Sequence, residues 1–164
     1  MINLDLNNIN TQVPYKVSLS TKGDYVFETF HGIHYSISFI EDEPLGGCKT
    51  YQFVIERLEN RHTGYDSGVE DTILLIIYEF FKQHLFVLLY FCDTSDGREA
   101  KRNRLFMSWF QKHADKTRFT ICSANATVEG QGIYAAIIVE NRNPLLDDIV
   151  SEFNSTASML AEGK

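Results

Sequence analysis

The sequence predicts an α+β fold, and three observations carry that prediction. From Tyr15 to Leu58, short runs of β-branched and aromatic residues alternate with polar ones, the period-two pattern of half-buried antiparallel strands. Two later stretches, beginning near Ser67 and Asp96, space their apolar residues three and four apart, as helices do. Between them, Leu85 to Phe91 is apolar at every position, which fits a strand covered on both faces.

At 164 residues the chain suits one domain, expected over 13–160, with an Asn-rich flexible N-terminal arm over 1–12. A 44% hydrophobic share with 12 Phe and 8 Tyr supplies a bulky core and argues against disorder. The net charge of −7 disfavours a broad nucleic-acid footprint and adsorption to an anionic membrane. The start, MINLDLNNINTQVP, lacks the basic and apolar regions of a secretory signal. The longest apolar run, Leu85 to Cys92, is too short to span a bilayer. Cys48, Cys92 and Cys122 are odd in number and widely spaced, as free thiols of a reducing cytoplasm would be. Neither a CxxC pair nor an HExxH is present, so no metal is expected.

Taken in order, Tyr15–Ser20, Tyr25–His31 and His34–Ile40 are predicted strands, the last two joined at His31-Gly32. Glu41 to Thr50 is turn chemistry around Pro44, Gly46 and Gly47, and Tyr51–Leu58 closes the antiparallel meander. Ser67-Gly68-Val69-Glu70 has the form of a capping box, so a helix should begin there and run to about His84. Its apolar stripe is Val69, Ile73, Ile76, Ile77 and Phe80. The Leu85–Phe91 strand and a helix over Asp96–His113 follow. Arg118–Ala124 and Ile133–Glu140 form a strand pair. Asn143-Pro144 then opens a C-terminal helix burying Leu145, Leu146, Ile149, Val150 and Phe153.

This order resembles the GNAT (N-acetyltransferase) superfamily over Tyr25–Glu140: a meander, a helix, a central strand, another helix and a strand pair. Members cradle the pyrophosphate of acetyl-CoA with an Arg/Gln-x-x-Gly-x-Gly/Ala loop. Arg61-His62-Thr63-Gly64-Tyr65-Asp66 keeps the Arg and the first Gly of that loop but ends in Asp. The resemblance implies an acyl-CoA site on Arg61, Gly64 and Gly68. Glu70 and Asp71, close behind, would repel a pyrophosphate from the helix start. The wording DTSDGREAKRNRLFMSWF also resembles a small bacterial family of uncharacterised proteins, which implies no activity.

The candidate site lies at the strand–helix junction. On a period of 3.6, Glu99, Arg102, Asn103, Phe106, Trp109, Phe110 and His113 share a stripe, apolar late and polar early. The polar half should meet a crevice at the carboxyl end of the preceding strand, beside Cys92, Asp93 and Asp96. Arg98, Lys101, Arg102 and Arg104 are misplaced for the helix dipole. Either a small anionic ligand supplies the missing charge, or Asp93, Asp96 and Glu99 do so as a self-neutralising cap; the expectation is that the arginines face the carboxylates. His31 and His34 are expected to be solvent-facing or hydrogen-bonded, Tyr134 to serve the core or hairpin, and Arg118 and Arg142 to be isolated surface charges.

No complete nucleophile–base, metal or phosphate-loop set can be assembled from the sequence, which leaves catalysis open. It points to a cytoplasmic binding or interaction domain with no cofactor, whose partner is a protein or a small anionic ligand. A homodimer is the first assembly to test. The alternative is a divergent acyl-CoA-dependent N-acyltransferase using acetyl-CoA or another acyl-CoA.

Overall fold

The computed structural model describes residues 2–93 and 98–161, without the side chains of residues 93, 98–100, 102 and 161. In chain order the elements are α1 (Leu6–Asn10), β1 (Ser18–Leu19), β2 (Tyr25–Glu28), β3 (His34–Leu45), β4 (Cys48–Arg57), α2 (Ser67–Gln83), β5 (Val87–Asp93), α3 (Arg98–His113), β6 (Phe119–Val128), β7 (Gln131–Glu140) and α4 (Leu146–Ala161). The strands form one seven-stranded sheet in the order β1-β2-β3-β4-β5-β7-β6. A helical crossover through α2 lets β4 and β5 run parallel, paired over Thr50–Gln52 and Val87–Leu89. The pairs β1–β2, β2–β3, β5–β7 and β6–β7 are antiparallel. The fold is α+β, with the meander, helix–strand–helix, strand pair and final helix in the expected order.

The chain gathers into two compact units, Met1–Ile40 with Phe53–His84, and Glu41–Gln52 with Leu85–Lys164. In the first, alternation buries Tyr25, Phe27, Tyr35, Ile37, Phe53 and Ile55, and α2 contributes Ile73, Ile76, Ile77, Phe80 and Phe81. Phe80 stacks on Phe39 with centroids 5.1 Å apart and meets Phe81 edge-on, also at 5.1 Å. Such offset and edge contacts are the favourable arrangements of aromatic pairs.

The Asn-rich start carries α1 and packs within the first unit. Ile2, Leu4 and Ile9 are buried. Tyr25 Oη accepts from the Leu4 amide at 2.7 Å and donates to the Ile2 carbonyl at 3.2 Å. Asn10 donates to the Val17 carbonyl and accepts from the Val17 amide, both at 2.8 Å. A side-chain amide can do both at once, so asparagines here bind backbone that has no ladder partner. Asn8 donates to the buried carboxylate of Glu79, which also accepts from Gln83 at 2.7 Å. Asn8→Ala is expected to cost about 1–2 kcal/mol, since a buried acceptor loses one donor. The check is a fall in urea midpoint at constant slope, and an unchanged midpoint would detach α1 from the stability of α2.

In the second unit, register sorts the side chains of β5, β7 and β6 onto two faces. Val87, Leu89, Ile137, Val139 and Cys122 share the face that packs on Ile149 and Phe153 of α4. Leu88, Tyr90 and Cys92 share the other with Ile138, Ala136 and Tyr134, and with Ile121, Ser123 and Asn125. There α3 brings its buried Phe106, Met107 and Phe110, the last 6.3 Å from the ring of Phe119. The Asn143 carboxamide oxygen accepts from the Leu145 amide at 2.9 Å, and its nitrogen donates to the Leu85 carbonyl at 3.1 Å. The helix opens at Leu146, three residues beyond the expected cap.

Two expectations about the chain need correction. Glu41 to Thr50 is mostly strand: β3 continues through Pro44 to Leu45, and only Gly46 and Gly47 turn. Both have positive φ, +56° and +77°, as a two-residue hairpin of primed type requires. Arg118 and Arg142 are not isolated. Both bind the carboxylate of Glu140, whose side chain is 3% exposed, at 3.4 and 3.0 Å.

Candidate functional site

The alternation of β5 places Tyr90 and Cys92 on the face beneath α3, and antiparallel pairing sets Tyr134 of β7 directly opposite Cys92. From above, α3 contributes Asn103 and Arg104 one turn before its apolar contacts begin. Of the α3 stripe, Phe106 and Phe110 are buried, Asn103 and Trp109 half-buried and His113 exposed, while the side chains of Glu99 and Arg102 lie outside the described residues. The result is a cluster of Tyr90, Cys92, Asn103, Arg104 and Tyr134, all within the second unit.

Tyr90 is 4% exposed, and its hydroxyl makes no hydrogen bond of good geometry. Cys92 and Asn103 nonetheless lie close enough to influence its ionisation. Burial, and then the neighbouring thiol, push the phenol well above its usual range, against smaller opposing effects of Asn103 and Arg104. The Arg104 guanidinium approaches Cys92 Sγ at 3.9 Å. Tyr134 lies with its ring 6.2 Å from that of Tyr90, and burial raises its phenol too, with a hydrogen bond from Ser123 acting the other way. Both phenols therefore stay protonated at neutral pH.

Of the expected site residues, Asn103 joins this cluster. Asp96 lies outside the described residues, as do the side chains of Asp93, Arg98, Glu99 and Arg102. Tyr90 was not singled out by the sequence, Tyr134 was expected to serve the core or hairpin, and Arg104 entered only as one of four misplaced cations that an anionic ligand or the nearby carboxylates would neutralise. Arg104 looked like one more cation of a crowded first turn, and Tyr90 like one more apolar position in a buried strand. The available signal was Tyr90 itself, whose hydroxyl needs a partner wherever the ring is buried.

The start of α2 is built differently. Asp66, rather than Ser67, is the N-cap, and its Oδ1 accepts from the Gly68 amide at 2.9 Å. This shifts the cap one residue upstream of the expected capping box, and Glu70 accepts from the Tyr65 hydroxyl instead of reaching back. The Tyr15 hydroxyl donates to Asp66 Oδ2, and its ring lies 2.9 Å from where a side chain on Gly68 would begin. The Arg61 guanidinium donates to the His31 carbonyl, while its own carbonyl accepts from Arg57 at 2.8 Å. Gly64 has φ +79° with open space around it. This helix start therefore carries its own carboxylate on the amide that an incoming anion would use.

At the start of β3, His34 Nδ1 contacts the Glu59 carboxylate and Nε2 lies 3.4 Å from Glu28. The Glu59 hydrogen bond raises the His34 pKa, while hydrogen bonds from His34 lower that of Glu59. The raised imidazole contributes stability below the usual histidine range and loses it as pH rises through the raised value. The lowered carboxylate contributes above the usual carboxylate range and loses it as pH falls through the lowered value. The pairing is thus strongest between those limits. His34→Gln should narrow its stability gap from wild type between about pH 6 and about pH 9, by thermal melts. A gap that widens with pH would contradict the pairing.

Among the described residues, no group of three or more His, Cys, Asp or Glu side chains is arranged to hold a metal ion. No described helix is long and apolar enough to cross a membrane.

Residues 65–155, more than half of the chain, match a family described as "Family of unknown function (DUF6169)". No curated protein and no solved structure matches the chain.

Proposed function

For a chain that belongs to the DUF6169 family, we propose a ligand-binding domain whose site is the cluster of Tyr90, Cys92, Asn103, Arg104 and Tyr134. The carrying observation is the Tyr90 hydroxyl, buried without a well-formed hydrogen bond. Such a group costs about 1–3 kcal/mol when unsatisfied, and a ligand that accepts its proton relieves that cost. Deleting the hydroxyl removes the penalty with little change in shape. Tyr90→Phe is therefore expected to leave the unliganded protein as stable as wild type, or up to about 1 kcal/mol more stable. Thermal shift against small anionic and neutral hydrogen-bonding compounds should find one that stabilises wild type more strongly than Tyr90→Phe. If none stabilises wild type and the variant is clearly less stable, the hydroxyl is structural and the reading fails.

The second reading, an acyl-CoA-dependent N-acyltransferase, is favoured by element order: meander, α2, β5, α3 and the β6–β7 pair follow the GNAT-like sequence of elements. The occupied start of α2 weighs against it. Acetyl-CoA at about 1 mM should raise the melting temperature under this reading and leave it unchanged under the first. Both readings suit a cytoplasmic setting with free cysteines, and a homodimer is the assembly that size-exclusion chromatography with light scattering should test first.

A further inference from the structure

We infer that the ligand of the Tyr90 cluster is a small carboxylate, with Arg104 as its counter-ion and Tyr90, Asn103 and Tyr134 as neutral donors. The inference rests on the binding reading above and adds the chemical class. The ladders between β5 and β7 and between β7 and β6 run unbroken past this point, from Leu88–Ile138 to Asp93–Ile133 and from Phe119–Glu140 to Val128–Gln131. Main-chain amides of these strands are largely committed to the ladder, so recognition on this face falls to side chains.

Those side chains are matched to a single negative charge. The cluster's described side chains offer one full positive charge, the Arg104 guanidinium, and it is directed at Cys92 on the sheet. Burial keeps both tyrosines protonated, so they donate without adding charge. A guanidinium fork fits the two coplanar oxygens of a carboxylate, and a phenolic O–H adds a third, non-collinear donor to one of them. A phosphate dianion asks for more positive charge or free main-chain amides, and a neutral amide would leave the guanidinium unpaired in a partly buried place. Cys92 serves as a soft, weakly polar wall at the sheet end of this arrangement.

The test uses the full chain with sodium acetate and sodium propionate as probes, beside inorganic phosphate and acetamide, with chloride matched for ionic strength. The readout is melting temperature across a titration in wild type, Tyr90→Phe and Arg104→Gln. Expected is a saturable rise with the carboxylates, weakened about tenfold in apparent affinity by Tyr90→Phe and abolished by Arg104→Gln. Should Arg104→Gln fail to fold, Arg104→Lys keeps the charge without the fork and is expected to weaken binding by at least tenfold. A rise as large with phosphate as with acetate, or one indifferent to Arg104, overturns the carboxylate assignment. A rise with acetamide alone, lost in Tyr90→Phe, overturns the class while leaving the binding reading standing. No rise with any probe, together with a destabilised Tyr90→Phe, overturns both.

Discussion

Gly46→Ala should destabilise the chain by about 3 kcal/mol or more, whereas Gly47→Ala, one residue on, should cost only about 1–2 kcal/mol. Both glycines have positive φ, so both substitutions meet the same backbone strain. They differ in what surrounds them. A methyl group on Gly46 would lie 2.5 Å from the Ile149 nitrogen and 2.6 Å from the Asp148 carbonyl carbon, on the backbone of α4. Backbone cannot swing aside as a flexible side chain can, so the hairpin or the helix must move. A methyl group on Gly47 meets nothing within 4 Å. The Gly46 amide also donates to Glu152, a bond that any displacement would lengthen. Urea denaturation of the two variants provides the comparison. Midpoints that coincide would show that the helix yields, and that close packing at this tip is not what fixes glycine there.

The clamp on Glu140 should behave as a unit. Each arginine alone is dispensable, because Arg118→Ala and Arg142→Ala both leave the buried carboxylate with one partner. Their side chains are 37% and 59% exposed, so solvent screens each pair, and each single variant is expected to cost about 1 kcal/mol or less. Removing both strands a carboxylate whose own side chain is 3% exposed, and the double variant should lose about 3 kcal/mol. A double-mutant cycle therefore should show a coupling of at least about 1 kcal/mol. Strict additivity would mean that water reaches Glu140 once either arginine is gone.

How much of this was legible depends on how far apart the interacting residues lie. Helices and strands follow local periodicity, and Ile73, Ile76, Ile77 and Phe80 were readable as one buried stripe without any tertiary knowledge. The hairpin at Gly46-Gly47 was legible as turn chemistry, but Pro44 and the acidic run disguised the strand that leads into it. Arg118 and Arg142 looked isolated because their shared partner, Glu140, lies 22 residues from the first and sits inside what reads as an ordinary strand end. The candidate site was half legible. The polarity switch along α3 pointed to Asn103. The register that sets Tyr134 across from Cys92, and so completes the cluster, is a property of strand pairing that composition does not encode.

The tip of the β3–β4 hairpin also bears on how the second unit folds. Its contact with α4 joins Gly46 to Glu152, 106 residues further along the chain. Closing a loop of that length costs about 4 kcal/mol of chain entropy before any packing repays it. The residues of the first unit end at His84, whereas residues 41–52 gather with Leu85 onward. During synthesis the first unit can therefore form while the hairpin tip is still without its helix. A chain halted near residue 140 would hold the sheet side of the second core without Ile149 and Phe153 to cover it, and would be prone to aggregate.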